Sequence, residues 1–368
     1  MKSVLRVLHV VTHMNKGGLE TMIMNYYRSI DRNLVQFDFL THRPETEQKD
    51  YDYEISQMGG KIYHIPRLNP FSHKYRKALS AFLKKHKEYN IIHVHLDCMS
   101  GIVLKQAKLA GLKCRIGHCH SSSQDKNLYY VIKLLFKRLI SKYATHLFAC
   151  GESSGKWMFG RDSNFTILNN AIDSNKYAFN FQRRQMIRKE FGADDKCIVV
   201  GLVARFSKVK NHSFLVRVFE ELKKKYDNSL LVLVGQGERE QDIKALVKEK
   251  ELTNSVLFLG LRDDVDFVLQ GFDFFVMPSL YEGLPLSVIE SQASSTKTIV
   301  STNVPSECVV TNLVRRIGLN DHPEKWAELI LSEYPYTKID RRIEIKKSGF
   351  DISESAKRLQ SFYLENNN

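Results

Sequence analysis

Short apolar runs recur along this chain at intervals that leave room for one helix between each pair. Val4–Val11 is apolar nearly throughout, and Phe37–Leu40, Lys61–Ile65, Ile91–His95, Cys114–His118, His146–Cys150 and Phe165–Leu168 follow it. Helical stretches such as Lys74–His86 and Ser100–Ala110 lie between them. Strands that are apolar on both faces and alternate with helices predict a parallel sheet covered on both sides. After a polar, basic segment at Asn180–Lys189 the pattern starts again: strand Cys197–Ala204, helix His212–Tyr226, strand Leu230–Gly235, helix Glu238–Lys250, strand Val256–Leu259, a helix from Asp264, and strands Asp273–Met277 and Thr298–Ser301. The expected fold class is α/β, with two Rossmann-like domains at residues 1–175 and 176–352. The tail at 353–368 is expected as a helix, its apolar stripe formed by Ile352, Ala356, Leu359, Phe362 and Tyr363. A length of 368 residues suits two such domains.

Composition narrows the function classes. No apolar run approaches the ~20 residues of a membrane span, and the opening MKSVLRVLHVVTHMNKGG reads as a first strand entering a glycine loop rather than as a signal peptide. The cysteines (Cys98, Cys114, Cys119, Cys150, Cys197, Cys308) form no Cys-x-x-Cys pair, so a reducing cytoplasm and no structural zinc are expected. The net charge of +14 is concentrated in the first half. Residues 1–175 hold 26 Lys+Arg against 14 Asp+Glu, and Arg67–Lys142 alone holds 16 against 3. Such a surplus attracts an anionic membrane or nucleic acid. Neither a helix-turn-helix nor an aromatic-and-basic strand face is present, which disfavours nucleic acid. Leu128–Tyr143, with Tyr129, Tyr130 and four basic residues among large apolar ones, suits either a membrane-surface helix or one packed on its own sheet.

The chemistry concentrates at loops that follow strands. In MPSLYEGLPLSVIE (Met277–Glu290) a buried strand runs into a loop and then a helix that opens with Pro285. The backbone around Gly283, Leu284, Pro285 and Leu286 is a candidate anion site at a helix N-terminus. Glu282 and Glu290 beside it would repel phosphate, so they are expected to grip hydroxyl groups. Phosphate plus hydroxyls suggests a sugar nucleotide; the plainer alternative leaves Glu290 a solvated helix residue. In VARFSKVKNH, Arg205 and Lys210 leave the edge of the second domain's first strand, placed to carry the charge of a diphosphate. Gly235 and Gly237 either let a base or ribose pack on backbone or form a simple turn. Gly17 and Gly18 form a loop before a helix expected to start near Leu19, without the Gly-x-Gly-x-x-Gly fingerprint. GHCHSSS offers His118 and His120 but no evident third metal ligand. His120 is the better site candidate, whereas His93 and His95 read as structural or rim residues. Asp264-Val-Asp266 and Asp50-Tyr-Asp52 match Asp-x-Asp formally, but Asp264 is expected as a helix cap and Asp50 as solvated surface, with no metal at either.

With these motifs in order, from LRVLHVVTHMNKGGLETMIMNYY through VARFSKVKNH to EGLPLSVIESQA, nearly the whole chain resembles the retaining glycosyltransferases of family 4. These have the GT-B fold, and the likeness is greatest to bacterial exopolysaccharide and capsule transferases. The resemblance implies that Gly17 and Gly18 border the donor phosphate and acceptor, that His120 lies beside the donor sugar, and that Arg205 and Lys210 bind the nucleotide diphosphate. It further implies that Glu282 contacts the sugar, that Glu290 holds the ribose hydroxyls, and that the backbone at Gly283–Leu286 meets the phosphate. The implied reaction is a metal-independent, retaining transfer from a nucleotide sugar, expected to be a UDP-sugar, to a hydroxyl of a lipid-linked saccharide. It would take place in the cleft between the domains, at the cytoplasmic face of the cell membrane and without a cofactor. Ser295-Thr296-Lys297 stands where such proteins often carry Gly-x-Pro, a departure that touches the local loop. The rival readings are a UDP-sugar epimerase or phosphorylase on the same fold, or a non-catalytic basic protein binding membrane or nucleic acid.

Overall fold

The computed structural model describes residues 4–43, 50–121 and 130–367. It divides into two compact units, one comprising Met1–Ala171 with Ile352–Asn368 and the other Ile172–Asp351.

In the first unit, β1 (Leu5–Val11), β2 (Val35–Thr41), β3 (Ile62–His64), β4 (Ile91–Val94), β5 (Cys114–Cys119), β6 (His146–Ala149) and β7 (Thr166–Ile167) form one parallel sheet in the order β3-β2-β1-β4-β5-β6-β7. One apolar layer joins Phe37 and Ile116 of the sheet to Met24 and Tyr27 of the helix Gly18–Ser29. The other joins Leu8 and Val94 to Leu79, Val103 and Ile140. The C-terminal helix Ile352–Glu365 buries Ala356, Leu359 and Tyr363 in the first of these layers, so the end of the chain completes the core in which it began.

The second unit holds β8 (Ile198–Val203), β9 (Ser229–Val234), β10 (Val256–Gly260), β11 (Phe274–Met277), β12 (Lys297–Ser301) and β13 (Val314–Ile317). They are again parallel, in the order β10-β9-β8-β11-β12-β13. The fold class is the expected one: two Rossmann-like units built on parallel sheets. Three local features were not expected. The polar, basic segment 180–189 is most of the helix Phe181–Phe191, started by the Asn180 side chain accepting from Arg183 N at 2.9 Å. The helix expected from Asp264 is a single turn, Val265–Val268. β13 was not foreseen, because Arg315 and Arg316 interrupt its apolar pattern; it needs only one neighbour, β12, and both arginines are exposed.

Strand order reverses beside the first strand of each sheet, between β1 and β4 and between β8 and β11. At such a switch point the loops leaving the C-terminal ends of the strands diverge and leave a crevice for a ligand. Between β8 and β11 only Val200–Phe274 and Gly201–Phe275 pair, so the ladder stops short of both C-terminal ends.

Candidate functional site

The switch point of the second sheet gathers three of the motif residues. Leu280 N donates to Val209 O at 2.8 Å and Asn211 Nδ2 to Pro278 O at 3.1 Å, tying the loop after β11 to the loop after β8. From the end of β12, Ser301 Oγ donates to Ser279 O at 2.6 Å, and from the loop after it Asn303 Nδ2 donates to Leu280 O at 2.9 Å. Within this frame Lys210 Nζ lies 2.7 Å from Glu282 Oε1, and both side chains are largely buried. Residues expected to hold different parts of one ligand thus pair with each other. Arg205 is exposed and pairs with Glu238 at 3.0 Å. An exposed pair of this kind contributes little to stability, so exchanging Glu238 for a ligand anion costs little.

The glycines after β9 act on that same loop. Gly235 has φ +132°, and a Cβ there would stand 2.2 Å from Ala204 O; on Gly237 it would stand 2.4 Å from Phe206 O. Phe206 N donates to Gln236 O at 3.1 Å and Arg239 N to Phe206 O at 3.0 Å. Only glycine lets the two loops approach this closely, and the contact fixes the backbone on both sides of Arg205.

Glu290 lies in the helix Leu286–Ala293, which starts one residue later than expected, with Pro285 as its extended cap residue. Among the described residues no side chain caps this helix, and although Val288 N donates to Pro285 O at 3.2 Å, the N–H groups of Leu286 and Ser287 face the position an anion would take. Glu290 is 8% exposed and not a solvated residue. Burial pushes its pKa up to about 7, while the Tyr177 hydroxyl, donating to Oε1 at 2.9 Å, pulls it down. The departure at Ser295 has a local consequence: its φ is +57°, in the region glycine favours, and its Oγ accepts from Ile339 N at 2.9 Å.

The Asp-x-Asp matches are engaged elsewhere. Asp264 makes no capping bond; its carboxylate accepts two bonds of 2.7 Å from Arg262. Asp266 pairs with Arg183 and Lys176, and Asp50 accepts from Lys16 N at 2.8 Å.

In the first unit, Gly17 caps the helix Gly18–Ser29 in an extended conformation. A Cβ on Gly17 would stand 2.5 Å from Glu20 Oε2, whereas one on Gly18 would meet open space. Burial raises the Glu20 carboxyl to about 7. The histidines depart furthest from expectation. His9, His93, His95, His118 and His120 pack together at the C-terminal ends of β1, β4 and β5, so further nitrogens do stand beside His118 and His120. One series of bonds runs from the Tyr363 hydroxyl to His93 (2.7 Å) and on to His118 (3.1 Å). The other runs from His9 to His95 (3.1 Å) and on to His120 (2.9 Å). Desolvation lowers all five pKa values, those of His9 and His120 to about 3, so the rings are neutral. His120 sits half-buried at the rim, and its backbone N–H donates to Asp97 Oδ1 at 3.1 Å.

Ser122 and Ser123 of the histidine motif, and Leu128 and Tyr129 of the amphipathic stretch, lie outside the described residues. The helix Tyr130–Tyr143 buries Ile140 and exposes Val131, Leu135, Arg138 and Lys142 along one stripe. No helix among the described residues is long and apolar enough to cross a membrane.

Comparison with known proteins matches the model "Glycosyltransferase Family 4" to residues 16–176 and "Glycosyl transferases group 1" to residues 183–332. EpsF of Bacillus subtilis (strain 168), named as a glycosyltransferase, is 35% identical over 372 residues, covering 97% of this chain and 96% of its own. The capsular polysaccharide biosynthesis glycosyltransferase CapH of Staphylococcus aureus is 24% identical over 98% of this chain and 99% of its own. Among solved structures, Anabaena HepE in complex with UDP aligns at a TM-score of 0.75 with 15% identity, covering 98% of this chain and 97% of that one. HepE has the same fold in complex with UDP-glucose, at a TM-score of 0.74.

Proposed function

This chain belongs to the glycosyltransferases of the GT-B fold, and we propose that it moves a sugar from a UDP-sugar to a hydroxyl of a lipid-linked saccharide, without metal and with retention at the anomeric carbon. The observation that carries the reading is the Lys210–Glu282 pair at the switch point of the second sheet. In the resting protein the two charges neutralise each other. An incoming diphosphate takes over Lys210, Arg205 and the first-turn N–H groups of Leu286–Ala293, and the released Glu282 accepts from hydroxyls of the donor sugar. These cationic groups then meet the charge that grows on the leaving diphosphate as the glycosidic bond breaks, where preorganised charge lowers a barrier most. Glu290 accepts from the ribose hydroxyls. His120 stands beside the donor sugar, and Gly17 and Gly18 border the donor phosphate and the acceptor.

A uracil nucleotide is favoured because HepE, which shares the fold, holds UDP and UDP-glucose. The names of EpsF and CapH favour exopolysaccharide or capsule assembly as the setting. A lipid-linked acceptor, and work at the cytoplasmic face of the membrane, suit the basic first unit. There Phe71, Val131 and Leu135 are exposed near Arg138 and Lys142, and Phe71 contacts Phe136 at 6.1 Å between ring centroids. Apolar side chains among basic ones bind an anionic bilayer by partial insertion.

The test is transfer of labelled hexose from a panel of UDP-sugars to a bacterial lipid extract, with EDTA present, followed by NMR of the new linkage. The reading predicts product with the donor's α-configuration, formed about a hundredfold more slowly by the Glu282→Ala variant. Conversion of the donor to an epimer with no acceptor present would point to the epimerase reading instead.

A further inference from the structure

We propose that His95, His118 and His120 form a binding site for one divalent transition-metal ion of the zinc class, which takes no part in the transfer step proposed above although His120 borders the donor sugar in that reading. The site has a simple origin in the sheet. Residues two apart on a strand share a face, so His93 with His95, and His118 with His120, project together from β4, β5 and their C-terminal ends. Pairing of the two strands brings the four rings side by side, and His9 joins from β1 opposite His93.

One nitrogen from each of His95, His118 and His120 lies within 4.8 Å of the other two. The His95 and His120 nitrogens that share a hydrogen bond are 2.9 Å apart. Two imidazole ligands on a tetrahedral zinc, each bonded at about 2.0–2.1 Å, stand about 3.3 Å apart. An ion can therefore replace the shared proton with little movement of those two rings, and His118 has only to close in. A cavity of about 10 Å³ bordered by His9, His93, His95 and His118 gives the rings slack for that adjustment.

The hydrogen-bond inventory points the same way. A neutral imidazole carries one N–H and one lone pair. Among the described residues, the two series of ring bonds leave His118 Nε2 buried with no partner, free to be the third ligand beside His95 Nδ1 and His120 Nε2, and leave His120 Nδ1 likewise unpaired. A buried polar atom left unpaired costs about 1–3 kcal/mol. A soft-to-borderline cation is a partner that neutral nitrogens of this kind accept, since imidazole suits zinc, copper and nickel. Partly buried His120 at the rim provides the entry, and the equally part-buried Asp97, whose carboxyl group accepts from His120 N and Ser121 Oγ, places a compensating acid next to the ligands. The inner group of His9, His93 and His95 is the weaker candidate, because all three rings are buried and, among the described residues, only His9 Nε2 of this group lacks a partner. Sequence spacing alone gave no zinc ligands beyond a pair; the strand register supplies the third.

The full chain, stripped with a chelator and dialysed, would be titrated with Co²⁺ and with Zn²⁺ against a chromophoric competitor. The proposal predicts one ion per chain and an intense visible Co²⁺ band of four-coordinate type. His120→Gln and His118→Gln should each weaken binding at least tenfold, while His86→Gln, which precedes the N-terminal end of β4 and pairs with Glu88, should leave it unchanged. His120 lies at the rim, so its variant keeps the test sound if the buried His118 variant fails to fold, which circular dichroism would reveal. No saturable binding by the folded chain, or binding that His120→Gln leaves intact, overturns the proposal. The binding readout needs neither donor nor acceptor, so it stands or falls separately from sugar transfer.

Discussion

Replacing Glu290 with glutamine separates what this carboxylate costs the fold from what it gives the ligand. Burial raises its pKa from the usual 4.5 to about 7. The folded protein therefore holds the proton more tightly than the unfolded chain does. Stability from this group is fully present below about pH 4.5, declines as pH rises towards 7, and stays low above it. Raising the carboxyl from 4.5 to about 7, at 1.36 kcal/mol per pH unit, is worth roughly 3 kcal/mol, an upper figure for the cost of the buried charge at pH 8. Glutamine keeps the acceptor that Tyr177 uses at 2.9 Å and carries no charge. Glu290→Gln should thus stabilise the second unit by about 2–3 kcal/mol at pH 8 and by almost nothing at pH 4.5. For a unit of this size that is a rise in Tm of about 5–10 °C at the higher pH. Nucleotide binding should move the opposite way. If ribose hydroxyls need the ionised form, UDP affinity falls about tenfold between pH 8 and pH 6 in the parent, and the variant lacks that step. The phosphate of UDP also titrates near pH 6, but it does so equally in both proteins, so the difference between their profiles reads Glu290 alone. Thermal melts at several pH values and calorimetric titration of UDP at pH 6 and 8 supply the data. Identical pH profiles for parent and variant, in melting and in affinity, would refute the reasoning.

Other outcomes follow from the same geometry. Glu282→Ala should lower the transfer rate about a hundredfold, the scale of losing one preorganised polar contact in a transition state, and should leave UDP binding within a few-fold; Lys210→Ala should weaken both, as steady-state kinetics and calorimetry would show. Gly235→Ala forces a Cβ to within 2.2 Å of Ala204 O at a φ of +132°, so denaturant unfolding should show a loss of about 1–3 kcal/mol or more, with weaker nucleotide binding as the Arg205 loop shifts. Arg188→Met removes one of two arginines paired with the buried Asp273 and should cost about 3–5 kcal/mol by chemical denaturation. Val131→Ser with Leu135→Ser should reduce co-sedimentation with anionic vesicles and leave transfer to a soluble acceptor unchanged.

The chain's architecture is legible wherever burial alone decides the residue type. Runs such as LRVLHVV and FFVM lie inside a sheet covered on both faces, and their composition says so without help from neighbours. Legibility fails where polar groups are satisfied by distant partners. The helix Phe181–Phe191 reads only as a polar, basic segment until Arg184 and Arg188 find Asp273, which also accepts from Val199 N and so ties the helix to the starts of β8 and β11. The same holds for the site. Motif order singles out Lys210 and Glu282, but their pairing depends on β8 and β11 being neighbours although 72 residues separate the two side chains. The histidine cluster is hidden for the same reason, since no local spacing reveals which strands will lie side by side. The glycines after β9 were ambiguous because a turn and a close backbone approach demand the same residue; only the position of Ala204 O and Phe206 O distinguishes the two.

The measurement that bears most directly on the central claim is calorimetric titration of UDP into the parent protein and into Lys210→Ala, each with and without EDTA, with GDP and ADP as comparisons. The account predicts saturable binding of UDP in preference to the purine nucleotides, unchanged by EDTA and at least tenfold weaker in Lys210→Ala. Equal affinity in parent and variant, or binding that disappears with EDTA, would contradict it.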